Sequence, residues 1–217
     1  MTSSLAAELG PDWAAASEAA PAVVLFLHGY GSNEQDLTGL APALGLALPW
    51  ASLRAPIAMG SGGAAWFTIT TPGDPEPEPV AAATAAIWEW IDANLHPDTR
   101  VIPIGFSQGG LMATQLLRTR PERVLTTVVL GGFVQASPQP ADERLETELP
   151  AVFWGRGADD RVIGPAAITR TATFLPAHAS VVERVYPGLA HGIGAEEIAD
   201  VRDFIATHAG RAALVRR

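Results

Sequence analysis

Ser107 stands between two glycines in Gly105-Phe106-Ser107-Gln108-Gly109, and a third glycine, Gly110, follows. A serine hydroxyl is a weak nucleophile at neutral pH. It needs a base to take its proton, and the base needs a carboxylate to orient it. The G-x-S-x-G pattern does acyl-transfer chemistry when a strand leads into it and a helix leads out, because the sharp turn between them exposes the hydroxyl. With 21 glycines in the chain, the bare pattern would arise by accident roughly once in ten such sequences, so context decides its meaning. Arg100-Val101-Ile102-Pro103-Ile104-Gly105 supplies an apolar strand before it, and Gln108–Arg118 reads as the helix after it. That context presents the hydroxyl at a helix N-terminus, where partial positive charge favours a developing oxyanion.

Three histidines follow Ser107: His178, His191 and His208. His191 lies in Tyr186-Pro187-Gly188-Leu189-Ala190-His191-Gly192-Ile193, a glycine-rich loop between a predicted strand and a predicted helix, where an imidazole can reach the nucleophile. His178 falls in a polar turn and His208 at the end of the last helix, both structural positions. For the carboxylate, Asp159 and Asp160 stand side by side in the loop after the strand that ends at Trp154, and spacing alone does not choose between them. An oxyanion needs two backbone N–H donors. One comes from the residue after the nucleophile, Gln108, and the other from the loop after the early strand, His28-Gly29-Tyr30-Gly31. His28 precedes the nucleophile, the wrong order for the base, so it is expected to order this loop.

The elements that must hold these residues follow from the apolar pattern. Ala22-Val23-Val24-Leu25-Phe26-Leu27 reads as a strand buried on both faces of a parallel sheet. Asn33 is placed to cap a helix through Asp36, Leu37 and Leu40. Strands are predicted at Ala51–Arg54, Thr126–Leu130, Ala151–Trp154 and Ser180–Tyr186, with helices at Val80–Leu95, Pro165–Leu175 and Ala195–His208. Gly60–Gly63 and the proline-rich Thr71–Pro79 are loops, the second a surface excursion. Strands alternating with helices give a mainly parallel sheet with helices on both faces, and ligands then sit beyond the carboxyl ends of the strands. Ser107, Asp159, Asp160, His191 and the His28–Gly31 stretch each follow a predicted strand. Residues 1–20 read as an N-terminal extension and 21–217 as one domain.

Composition narrows the functional class. The formal charge is −9, every basic side chain is arginine, and the arginines are dispersed, which argues against a nucleic-acid partner. Without cysteine there is no disulfide framework, thiolate nucleophile or cysteine-based metal site. The first twenty residues lack a positively charged stretch, and the longest apolar run, Val23–Leu27, is too short to span a bilayer. A cytoplasmic protein without a stable membrane anchor is the expectation. Neither a H-E-x-x-H helix nor a G-x-G-x-x-G turn is present, so no metal or organic cofactor is expected.

Together these segments resemble the phospholipase/carboxylesterase family of small α/β-hydrolases, which includes acyl-protein thioesterases and bacterial carboxylesterases. The matching stretches are Leu27–Glu34 with Asp36-Leu37, Arg54-Ala55-Pro56, Trp66-Phe67, Gly105–Gly110, Asp160-Arg161-Val162-Ile163 and His191-Gly192-Ile193. They span nearly the whole chain in family order, and the early loop and the serine segment are the most specific. The resemblance implies an α/β-hydrolase fold without a large lid. It favours Asp160 over Asp159, because Gly157 precedes it by three residues and Val162-Ile163 follows. It also implies Tyr30 and Gln108 as the oxyanion donors, Trp66 as a wall of the acyl pocket, and room for a homodimer. The chain departs from the pattern at Tyr30 (usually Leu), Arg156 (His), Gly164 (Pro) and Ala190 (Gly). The Tyr30 ring reshapes the cleft without touching its backbone donor.

The expected activity is hydrolysis of a small-molecule carboxylic ester with a small or medium acyl group, through an acyl-enzyme on Ser107. The alternatives are an acyl thioesterase or lysophospholipase using the same three residues, and a non-catalytic hydrolase-fold binding protein. The last is disfavoured because no member of the triad is missing.

Overall fold

The computed structural model describes residues 5–11, 13 and 20–209. Its centre is a seven-stranded sheet. In chain order the strands are β1 (Ala7–Leu9), β2 (Ala22–Leu27), β3 (Trp50–Leu53), β6 (Arg100–Phe106), β7 (Thr127–Leu130), β8 (Ala151–Gly157) and β9 (Ser180–Tyr186). A separate two-stranded hairpin is formed by β4 (Ile57–Ala58) and β5 (Ala64–Ala65). The spatial order is β1-β3-β2-β6-β7-β8-β9, and every pairing is parallel except β1 with β3. The helices are α1 (Leu40–Leu44), α2 (Pro77–Asn94), α3 (Gln108–Thr119), α4 (Asp142–Glu148), α5 (Pro165–His178) and α6 (Ala195–His208).

The two faces of the sheet are covered by different helices, and the strand sequences show why. In β2 every residue is buried. Val23, Leu25 and Leu27 pack with Ile87 of α2, Leu111 and Leu116 of α3, Leu145 of α4 and Leu175 of α5. Val24 and Phe26 point the other way, onto Leu40 and Leu44 of α1 and Val201, Phe204 and Ile205 of α6. Burial on both faces accounts for continuous apolar runs instead of alternation. The expected α/β architecture is present, and no described helix is long and apolar enough to cross a membrane.

Several expectations need correction. Within the 1–20 segment expected as an extension, Ala7–Leu9 is the antiparallel edge strand on β3, with Leu9 opposite Ala51. Residues 1–4, 12 and 14–19 of that segment lie outside the described residues. The helix expected from Asn33 begins only at Leu40, because the Asn33 carboxamide accepts the Gln35 N–H at 2.9 Å and closes a local turn instead of capping. Helix α2 starts at Pro77, inside the expected loop, since its two prolines occupy first-turn positions that need no N–H donor. His178 ends α5 instead of lying in a turn, with Nδ1 2.8 Å from the Phe174 carbonyl. Strands β1, β4 and β5 and helix α4 are not among the predicted elements, each being too short to show a period in the sequence.

The start of α6 carries a buried carboxyl. Glu197 is fully buried, one of its oxygens accepts the Gly194 N–H at 3.4 Å, and Oε1 has no partner among the described residues. Burial, with a smaller contribution from Asp200, raises its pKa to about 7. In the unfolded chain the group has its ordinary value near 4.5. Between these values the folded state holds a proton that the unfolded state has released, so this contribution is present at low pH and fades as pH rises through 7. Glu197→Gln removes the titration. Relative to the parent, the variant should gain about 2 kcal/mol of stability between pH 5 and pH 8. Urea unfolding at the two pH values measures this, and a pH-independent difference would contradict it.

Candidate active site

The carboxyl ends of β2, β6, β8 and β9 bring the predicted residues together. Ser107 is the single residue between β6 and α3, with φ +55° and ψ −114°. A positive φ is rare for a residue with a side chain and costs on the order of 1–3 kcal/mol, sustained only by rigid surroundings. Those surroundings are backbone against backbone. The Ser107 N–H donates to the Leu130 carbonyl of β7 at 2.8 Å. A Cβ placed on Gly109 would run into the Leu27 carbonyl and stand 2.7 Å from that of His28, so α3 begins in direct contact with the end of β2. Gly105 is equally constrained, facing the Gly109 carbonyl.

His191 Nε2 lies 2.9 Å from Ser107 Oγ, and its Nδ1 lies 2.7 Å from Asp160 Oδ2. The second Asp160 oxygen accepts the N–H groups of Val162 at 2.8 Å and Ile163 at 3.2 Å, which fixes the carboxylate from both sides. Asp159 is exposed, and its N–H donates to the Leu189 carbonyl at 3.0 Å. That bond and the Ala158 N–H to Tyr186 carbonyl bond at 2.9 Å join the loops after β8 and β9, which carry the acid and the imidazole. The Phe106 ring packs against His191 with centroids 4.9 Å apart.

The early loop is ordered by His28, as expected. The ring is fully buried, its Nε2 accepts the Ala55 N–H at 3.1 Å, and so Nδ1 carries the hydrogen donated to the Gly29 carbonyl at 2.7 Å. Burial lowers its pKa and keeps it neutral. Beyond it, Gly31 and Ala64 are joined by the Gly31 N–H to Ala64 carbonyl bond, and the Ala64 N–H returns to the Ser32 carbonyl. Arg54 reaches Glu34 at 2.7 Å and the Gly62 carbonyl at 2.8 Å. Neither the Tyr30 nor the Gln108 N–H donates to a protein acceptor among the described residues, and both residues line the cleft beside Ser107.

Trp66 does not line that cleft, contrary to expectation. It is 1% exposed, its Nε1 donates to the His28 carbonyl at 2.9 Å, and its own N–H donates to Gln108 Oε1 at 2.8 Å. Gln108 Nε2 in turn donates to the Phe67 carbonyl at 2.7 Å. Trp66 is therefore a buried brace between the loop of Tyr30 and the turn of Ser107. Its neighbour Phe67 lines the cleft instead. The cleft, about 460 Å³, is walled chiefly by Tyr30, Phe67, Ile69, Phe133, Val162 and Ile163, and Ser107 and His191 are also on its lining. Of these, only Phe67, Tyr30 and the Val162-Ile163 pair belonged to segments singled out in the sequence. Phe133 and Ile69 carry no local signal of their place. Among the described residues, Asp36 is the one carboxylate on the lining, and no arginine is there.

Strand order, elbow and loop placement are those of an α/β-hydrolase. Solved structures agree in fold: the carboxylesterase of Bacillus cereus superposes with a TM-score of 0.75 at 20% identity, covering 94% of each chain. Among curated proteins, acyl-protein thioesterase 1 of Cryptococcus neoformans is 26% identical over 87% of this chain and 92% of its own. A carboxylesterase of Oryza sativa subsp. japonica, so named with the qualifier "probable", is 27% identical over 95% of this chain and 85% of its own. A sequence model of the phospholipase/carboxylesterase family matches residues 12–209. The chain belongs to that family.

Three substitutions separate these packing roles from generic ones. Gly109→Ala should destabilise the fold by about 3 kcal/mol, because the Leu27 carbonyl cannot recede, while Gly164→Ala, which meets nothing within 4 Å, should stay within about 0.5 kcal/mol. Trp66→Phe keeps most of the ring volume and leaves the buried His28 carbonyl without its donor, for a loss of about 1–3 kcal/mol. Urea unfolding reads all three. A neutral Trp66→Phe would return that residue to a cleft wall.

Proposed function

We propose that the protein is a serine hydrolase that cleaves carboxylic esters of small or medium acyl groups through an acyl-enzyme intermediate. The observation that carries this reading is the unbroken chain from Ser107 Oγ to His191 to Asp160, at 2.9 and 2.7 Å. In the first half-reaction His191 Nε2 takes the Ser107 proton as Oγ attacks the ester carbonyl carbon. The imidazolium that forms is stabilised by Asp160, and the carbonyl electrons move onto oxygen beside the N–H groups of Tyr30 and Gln108. Collapse expels the alcohol, which leaves with the proton from His191. In the second half-reaction His191 deprotonates a water, the water adds to the acyl carbon, and Ser107 is released with its proton restored. These steps require only side chains, backbone donors and water.

The apolar walls of Phe67, Ile69, Phe133 and Ile163 suit an acyl chain, and a cleft of about 460 Å³ suits one of small or medium length. A thioester would enter the same steps with a thiol leaving group, a reading supported by the similarity to acyl-protein thioesterase 1.

The test is labelling by an alkyl fluorophosphonate together with steady-state hydrolysis of p-nitrophenyl acetate, hexanoate and dodecanoate and of an acyl thioester. The parent should label stoichiometrically and hydrolyse the shorter oxygen esters fastest. Ser107→Ala should lose labelling and drop kcat by about 10⁴-fold or more. Labelling that persists in Ser107→Ala would place the nucleophile elsewhere. Thioester hydrolysis at a higher kcat/KM than every oxygen ester would favour the thioesterase reading.

A further inference from the structure

One wall of the cleft is built differently from the rest. Phe106, Ser107, Gln108 and Phe133 sit on or beside sheet strands, whereas Ile69, Thr71, Pro72, Gly73 and Pro75 come from a segment between β5 and α2 that has no strand or helix. Its backbone makes one internal bond, from the Asp74 N–H to the Thr71 carbonyl at 3.1 Å. Such a segment follows the sheet only if side chains tie it down.

Arg170, on α5, supplies the tie. Its guanidinium donates through one terminal nitrogen to the Gly73 carbonyl at 2.5 Å and through Nε to the Val134 carbonyl at 2.9 Å. The other terminal nitrogen lies 3.9 Å from Asp74, and the group sits 6.0 Å from the centroid of the Phe133 ring, itself a cleft wall. The planar fork thus spans two chain segments on one side of the cleft, which a point charge cannot do. Gly73 contributes the second half of the contact. Its φ of +76° is open to glycine, and a Cβ there would press within 3.1 Å of Ala167 on α5. Gln135 adds a longer bond to the Pro75 carbonyl at 3.4 Å. Arg170 itself does not line the cleft.

We propose that Arg170 is a positioning residue for substrate selection: by clamping Gly73 to Val134 it fixes the Ile69–Pro75 wall against Phe133 and so limits the acyl length the cleft accepts. This rests on the esterase reading above. With the clamp cut, the wall recedes and longer acyl chains fit, while the distances among Ser107, His191 and Asp160, which lie on the sheet side, are unaffected.

The experiment compares the parent with Arg170→Gln, Arg170→Lys and Gly73→Ala, counting sites by fluorophosphonate titration and measuring kcat/KM for p-nitrophenyl acetate, hexanoate and dodecanoate. Hydrogen–deuterium exchange over residues 69–75 is followed in parallel. For Arg170→Gln and Gly73→Ala the dodecanoate-to-acetate ratio should rise about tenfold, carried by KM for the longer ester, and exchange over 69–75 should speed up about tenfold. Lysine, reaching one carbonyl at a time, should restore less than half of either effect. An unchanged ratio in a parent that hydrolyses esters overturns the clamp and leaves the esterase reading standing. A parent that neither labels nor hydrolyses any ester overturns the esterase reading instead. In that case exchange over 69–75 that is the same in parent and Arg170→Gln overturns the clamp as well, and faster exchange supports its structural half.

Discussion

A serine held at φ +55° exists only where its surroundings are fixed more firmly than the strain it carries, and in this fold that firmness is backbone pressed on backbone. The start of α3 touches the Leu27 and His28 carbonyls at the end of β2, and the turn's own N–H is taken by Leu130 of β7. Three adjacent elements therefore determine one side chain's position. The apolar content of β2, β6 and β7 matters to the chemistry for this reason: burial on both faces keeps the sheet from shifting beneath the turn.

Around that point the polar groups divide by whether they touch the cleft. His28, Trp66 and the Gln108 carboxamide are buried and fully engaged with backbone partners, joining the early loop to the serine turn. Because an unpaired buried polar group is costly, such a closed set has few alternative arrangements, and the N–H groups of Tyr30 and Gln108 inherit its rigidity. Donors that need no reorganisation when charge develops are the kind that lower a barrier. Asp160 is fixed on the same principle, one oxygen on His191 and the other on two backbone N–H groups.

How much of this could be read from the sequence depended on how local the cause was. Ser107 and the continuous strands were legible because strand–glycine–serine–glycine–helix is a local arrangement, and burial on both faces writes itself into consecutive residues. His191 was legible through its loop and its order in the chain. The choice of Asp160 over Asp159 needed a family register, since two adjacent carboxylates differ only in which one the loop turns inward. Trp66 was misplaced because neighbouring residues point to opposite sides, and whether Trp66 or Phe67 takes the cleft side depends on where Gln108 sits, 41 residues from Phe67. The capping role given to Asn33 failed because the same side chain can close a turn two residues on. Three-residue and two-residue strands such as β1 and β4 have too few positions to show a period at all.

The two sides of the cleft obey different constraints, and this bears on how such a site changes. On the sheet side a single Cβ at Gly105 or Gly109 meets a carbonyl that cannot move, so reacting groups and strand packing are one problem. On the other side the 69–75 wall is joined to the body by side-chain contacts from α5 and by Gln135, so its position is set by a few groups that take no part in strand pairing. Among the described residues the two sides share little hydrogen bonding, the condition under which changes at separate sites add independently. On the proposed esterase reading, the arrangement separates what is done to the carbonyl from which acyl group is brought to it. In the proposed esterase, bond-making belongs to the rigid sheet ends and selection to the 69–75 segment.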